Sequence, residues 1–294
     1  MKNLIVNADD LGWTEGVSQG IVEAHRKGLV TSTSLLANGR AFQFALELAG
    51  KNPELGIGVH LNLSDGLPKA PDKEVRSLLN GNGHFEGSPE SLLLRIAKRS
   101  LPLEQVEREW DAQIRTVLEA GVEPTHLDGH KHVQMLPGLF EIALRLAKKY
   151  KIRAIRVSSE ESKLRSALAS GGGGQTATLL KQGVQARGLK LLAGDARALA
   201  DRMGIATTDY FCGIAQTGVM TRGGVEHLLS NLPEGTTELM CHPGYVDGDL
   251  KESSTRLQES RLNELQILTD PAIRKLVATV GIRLINYRLV AEAA

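Results

Sequence analysis

Thr125-His126-Leu127-Asp128-Gly129-His130-Lys131-His132 sets three imidazoles and a carboxylate at alternate positions, where an apolar run gives out. In an extended chain, successive side chains point to opposite faces, so residues 126, 128, 130 and 132 are predicted to share one side. So many imidazoles on one face need partners, and a metal ion is the commonest one that imidazole accepts. Two further apolar runs end in the same way. Leu4-Ile5-Val6-Asn7-Ala8 leads to Asp9-Asp10, and Gly56-Ile57-Gly58-Val59 leads to His60. A single histidine in such a place reads equally well as a structural hydrogen-bonder. Three polar groups, each closing an apolar run, point to a metal site.

Around these runs the chain alternates strand and helix. Leu4–Asn7, Val30–Leu36, Ile57–Leu63, His126–Asp128, Ala154–Val157, Asp209–Cys212, Thr237–Cys241 and Ile282–Tyr287 read as short strands. Between them Thr14–Lys27, Ala41–Ala49, Leu103–Ala120, Pro137–Tyr150, Thr178–Leu192, Ala196–Met203, Gly223–Asn231 and Ser253–Thr269 carry helical patterns. That alternation predicts a parallel sheet with crossover helices, and the length suits a (β/α) barrel. An open doubly wound sheet is the alternative, although no Gly-x-Gly-x-x-Gly follows the first strand. Residues 64–101, rich in Gly, Pro and Asn, read as an insertion with one short helix, and the glycines at 171–174 as a connector near 170–175. Residues 1–294 are thus read as one catalytic domain.

With 41% hydrophobic and 23% charged residues and a net charge of +1, the 294-residue chain has the make-up of a globular protein with a full core. No global field argues for nucleic acid or an anionic membrane. Cys212 and Cys241 are too few for a disulfide framework and read as small buried side chains. The N-terminus lacks the apolar region and cleavage site of a signal peptide, and no apolar run is long enough to span a bilayer. The expectation is a cytoplasmic protein with no transmembrane segment; the sequence leaves a homodimer open.

Parallel barrels gather function at the C-terminal ends of their strands, where Asp10, His60, His130 and His242 all fall. Two imidazoles and one carboxylate leave coordination positions open for water and substrate. Of Asp9 and Asp10, predicted to face opposite ways, one can ligate while the other serves as base; an N-cap for the following helix is the bland alternative. Asp128 suits the second nitrogen of a ligand histidine better than the metal itself. His242 is held by Pro243-Gly244 and could protonate a leaving group or merely pack on the turn. His25, His84 and His227 read as surface residues and His126 as a core hydrogen-bonder. Arg261 and Glu264, one helical turn apart, either meet substrate or pair with each other.

Taken together, Val6–Gly12, Val30–Ser34, Gly56–Leu61, Pro124–Val133, Glu238–Tyr245 and Arg261–Leu265 resemble the YdjC-like carbohydrate deacetylase family, in order and over nearly the whole chain. The resemblance implies an irregular (β/α) barrel and a divalent metal ion, magnesium or zinc, held by Asp10, His60 and His130. It implies Asp9 as general base, with His242 the candidate acid and Asp128, His132 and Arg261 as supporting or substrate-contacting groups. The implied reaction is hydrolysis of the acetamide of an N-acetylglucosamine-type sugar, as oligosaccharide or glycolipid, to amine and acetate. Lys131 and Gln134 depart from the more histidine-rich stretch of many relatives. The rival readings are a metal-dependent phosphoesterase and a non-catalytic sugar-binding module.

Overall fold

A computed structural model describes residues 1–160, 194–253 and 255–292. Seven parallel strands form one sheet: β1 (Lys2–Leu11), β2 (Ser32–Leu35), β3 (Gly56–Leu61), β4 (Leu127–Gly129), β5 (Tyr210–Cys212), β6 (Gly235–Cys241) and β7 (Arg283–Leu284). They run in the order β4-β3-β2-β1-β6-β5, with β7 beside the first residues of β1. The strand predicted at Ala154–Val157 appears only as isolated bridges. Ile155 bridges Leu127 of β4, and Glu160 bridges Phe211 of β5, so this segment joins the two edges of the sheet. The result is an irregular (β/α) barrel.

Strand parity explains both the packing and the site. On β1, Leu4, Val6 and Ala8 belong to the main core beneath the helices, whereas Asn7 and Asp9 hydrogen-bond to the side chains of Ser34 on β2 and of Arg156. The same split separates Val59 and Leu61 from Gly58 and His60 on β3, and Leu127 from Asp128 on β4. The barrel interior therefore holds a polar layer rather than stacked aliphatics. At its base a small apolar group of Ile5, Ala154, Ile285, Tyr287 and Val290 closes the lumen.

The helices follow local signals. Helix α1 (Glu15–Lys27) starts at Thr14, whose side chain accepts from the Val17 amide, a cap worth about 1 kcal/mol. It buries Val17, Ile21, Val22 and Ala24 against the sheet. Helix Leu103–Glu119 buries Val106, Trp110, Ile114 and Val117 at helical spacing. Within the predicted insertion lie two short helices, Asp72–Val75 and Pro89–Ala97, where one was anticipated. The glycine-rich connector near 170–175 and the helix predicted over Thr178–Leu192 lie outside the described residues; residues 194–202 are helical. Among the described residues no helix is long and apolar enough to cross a membrane.

Two local departures from regular strand geometry matter most. Between the pairs Ala8↔Thr33 and Leu11↔Leu35, β1 advances three residues while β2 advances two, a bulge accompanied by a positive φ of 76° at Asp10. This turns Asp9 and Asp10 toward the same region, contrary to the opposite faces predicted for a regular strand. Likewise the extended backbone predicted through His132 stops at Gly129. Residues His130–Met135 form a tight 3-10 turn, with left-handed backbone at Lys131 and His132.

Candidate metal centre

Asp10, His60 and His130 converge above the strand ends, each offering a ligand atom within 4.8 Å of the others. Asp10 Oδ1 lies 3.0 Å from His130 Nδ1 and 3.5 Å from His60 Nε2, and all three residues are buried. Each comes from a different strand end: Asp10 from the bulge of β1, His60 from β3, His130 from the turn after β4. The donor chemistry, one carboxylate oxygen and two imidazole nitrogens at one point, fits a divalent cation with open positions. The cluster could hold a metal ion.

The imidazoles are oriented from behind. Asp128 Oδ1 accepts from His60 Nδ1 at 2.8 Å, which leaves Nε2 facing Asp10. Burial alone would depress the His60 pKa, but Asp128, Asp9 and Asp10 hold it up at about 9. Asp128 is itself fixed by Ser34 Oγ at 2.6 Å and Arg156 Nη1 at 2.8 Å. Asp10 is tied on its other oxygen to Arg261 Nη2 at 2.6 Å. Although burial opposes ionisation of Asp10, Arg261 and the two histidines hold its carboxyl well below the usual range.

Asp9 sits beside this cluster and forms a second group with His60 and Asp128. Arg156 grips it with both terminal nitrogens, at 2.7 and 2.8 Å, while Asn7 Nδ2 adds a bond at 2.9 Å. Burial pushes the Asp9 pKa up, and Arg156 more than reverses that, so the carboxylate is ionised. Arg156 is wholly buried, and it also binds Glu238 Oε1 through Nε at 2.8 Å; Glu238 takes a further bond from Tyr287. Sequence reasoning missed Arg156 and Glu238. Their signal was a charged residue inside an apolar strand run, Ala154-Ile155-Arg156-Val157 and Thr237-Glu238-Leu239-Met240.

The other predicted residues divide. His242 follows β6, is 8% exposed, and its Nδ1 has no hydrogen-bond partner among the described residues. Burial lowers its pKa to about 4, so its ring is neutral. Its backbone amide donates to Glu264 Oε2 at 2.6 Å. Arg261 and Glu264 therefore reach different partners, Asp10 and His242, rather than pairing with each other. His132 stays out of the three-residue cluster: its Nδ1 lies 2.9 Å from Ser158 Oγ, and its ring stands edge-on to Phe211. His126 stacks on Tyr287 at 3.8 Å beneath the site, filling the space left by Gly58. A Cβ on Gly58 would lie 2.4 Å from that ring. His84 and His227 are exposed; His25 is half-buried and holds the Val30 carbonyl. Both cysteines are free and buried.

Asp65, on the loop after β3, was also missed. Its Oδ2 lies 3.3 Å from His130 Nε2 and 2.6 Å from Lys131 Nζ. In sequence it sits in Ser64-Asp65-Gly66, which reads as an ordinary turn.

Comparison with known proteins agrees with this architecture. The model of the YdjC-like protein family matches residues 3–279. The carbohydrate deacetylase of Geobacillus stearothermophilus is 33% identical over 97% of this chain and 96% of its own. That of Homo sapiens is 36% identical, over 96% of this chain and 88% of its own. A crystal structure from Enterococcus faecalis V583, described as a candidate cellobiose-phosphate cleavage protein, superposes with a TM-score of 0.79 at 30% identity, covering 98% of each chain. With strand order, polar strand ends and near full-length similarity in agreement, this chain belongs to the YdjC-like family.

Proposed function

We propose that this protein is a metal-dependent carbohydrate N-deacetylase that hydrolyses the acetamide of an N-acetylglucosamine-type sugar. The observation that carries the proposal is the convergence of Asp10 Oδ1, His60 Nε2 and His130 Nδ1, with the ionised carboxylate of Asp9 beside them. Relatives named carbohydrate deacetylases, similar over almost their full length, support the choice of substrate class. Asp10, His60 and His130 would hold one divalent ion, magnesium or zinc, which would supply Lewis-acid polarisation of the carbonyl and acidify a bound water.

The chain's own groups divide the proton work. Asp9 takes a proton from the attacking water, and Arg156 keeps that carboxylate ionised and fixed until it does so. Such a positioned base contributes about 10²- to 10⁴-fold. His242 hands a proton to the departing amine. Because its ring is neutral at rest, the proton it hands on is the one that Asp9 has taken from the attacking water. Glu264, on the His242 backbone amide, holds the loop that presents the ring.

A phosphoesterase would want uncommitted positive charge beside the ion. Among the described residues, the cations at the cluster are already engaged, Arg261 with Asp10 and Lys131 with Asp65, which favours an uncharged acetamide. The test is acetate release from N-acetylglucosamine oligosaccharides by untreated, chelator-treated and metal-reloaded protein. The proposal predicts loss on chelation and recovery on reloading. Undiminished release from metal-free protein refutes it.

A further inference from the structure

The geometry points to Asp65 as a positioning residue for His130: it backs the ring so that Nδ1 faces the cation, and Lys131 clamps it in place. The inference rests on the reading that Asp10, His60 and His130 share a metal ion. A ligand histidine needs a partner on its second nitrogen to fix its tautomer and aim its ring. For His60 that partner is Asp128. His130 has the complementary arrangement. Its Nδ1 is the nitrogen 3.0 Å from Asp10 Oδ1, so Nε2 points away from the cluster, and Asp65 Oδ2 lies 3.3 Å from it. At that distance the two atoms are close without forming an aligned hydrogen bond, and His130 Nε2 has no other partner among the described residues.

Asp65 is built into place. The Asn62 and Asn38 side-chain amides both donate to its backbone carbonyl, at 2.7 and 2.9 Å. Ser64 Oγ and Lys131 Nζ hold Oδ2 at 2.9 and 2.6 Å. Gly66 turns the chain with φ of 81°, a conformation that a side chain resists. Beneath the loop, Gln113 on helix Leu103–Glu119 pins Asn62 through both backbone groups, at 2.9 and 2.8 Å. Lys131 also explains a local oddity. Its left-handed backbone accompanies a side chain that reaches back to Asp65 on the loop after β3, so Lys131 acts on the neighbouring His130 through Asp65.

The test is Co²⁺ titration of chelator-treated protein, followed by calorimetry and by visible absorption, with a thermal melt of each variant as the folding control. Asp65→Ala is expected to bind Co²⁺ about 10- to 100-fold more weakly, with the absorption bands unchanged because the three ligands remain. Lys131→Met should lose about two- to fivefold, the scale of a partly exposed ion pair, and Lys131→Arg should restore most of it. Unchanged Co²⁺ affinity in Asp65→Ala overturns the inference. So does a shift of the bands to a different coordination, which would make Asp65 a ligand. A wild-type chain that takes up no Co²⁺ refutes the metal reading underneath, a result distinct from either.

Discussion

Replacing Arg156 with methionine tests the polar layer on which the site stands. The guanidinium is wholly buried and meets Asp9, Asp128 and Glu238 at 2.7–2.8 Å. Removing one partner of a buried ion pair costs about 3–5 kcal/mol, because the other charge is left uncompensated. Three carboxylates depend on this cation, but each keeps another donor: Asn7 for Asp9, His60 and Ser34 for Asp128, Tyr287 for Glu238. Proton uptake also limits the loss. Keeping one carboxyl protonated at pH 7 costs about 1.4 kcal/mol for each of roughly three pH units, about 4 kcal/mol in all. Both routes give about 4 kcal/mol, a large share of the roughly 5–15 kcal/mol that holds a typical domain folded.

The sign of the pH dependence follows. In Arg156→Met the folded chain holds an extra proton at neutral pH that the unfolded chain lacks, so its stability rises on acidification. In the wild type the Asp9 and Asp128 pKa values are held down against burial by Arg156, and their contribution stays intact above their unfolded values. The gap between the two proteins, read by urea unfolding, should therefore narrow by about 3 kcal/mol from pH 7 to pH 5. A lysine cannot reproduce the fork, so Arg156→Lys should recover only part of the loss. A gap below about 1 kcal/mol at pH 7, or one that does not narrow on acidification, refutes the reasoning.

Other substitutions separate the remaining roles. Asp9→Asn should keep its cation and lose about 10²- to 10⁴-fold in acetate release, measured with metal content on the same sample; unchanged turnover removes Asp9 from the role of base. Glu264 is raised by burial to about 7 from 4.5, so the folded chain holds its proton and stability falls as pH rises through that window. The difference in unfolding free energy between wild type and Glu264→Gln should change by about 3 kcal/mol between pH 4.5 and pH 7.5, and a flat difference contradicts it. Gly58→Ala drives a methyl into the His126 ring stacked on Tyr287 and should cost about 1–3 kcal/mol in a thermal melt; an unchanged melt contradicts that packing.

The strand ends were legible because each apolar run stops at a polar group, and strand parity carries Asp9, His60 and Asp128 to the interior. What alternation could not reveal was backbone that leaves the strand. The bulge at Asp10 and the left-handed residues Lys131 and His132 depend on partners distant in sequence, such as Ser158 for His132 and Asp65 for Lys131. Arg156 and Glu238 were hidden for a related reason. Each is a lone charge in a short apolar run, and only the joined sheet sets them against each other across the lumen. Asp65 lies in a turn whose composition looks the same whether or not it faces a site.

Anomalous scattering from crystals grown with zinc or cobalt, recorded at the metal edge, tests the central claim most directly. The account predicts a single strong peak bounded by Asp10 Oδ1, His60 Nε2 and His130 Nδ1, and its disappearance in His60→Ala. A peak bound elsewhere, or none at that point in the wild type, contradicts it.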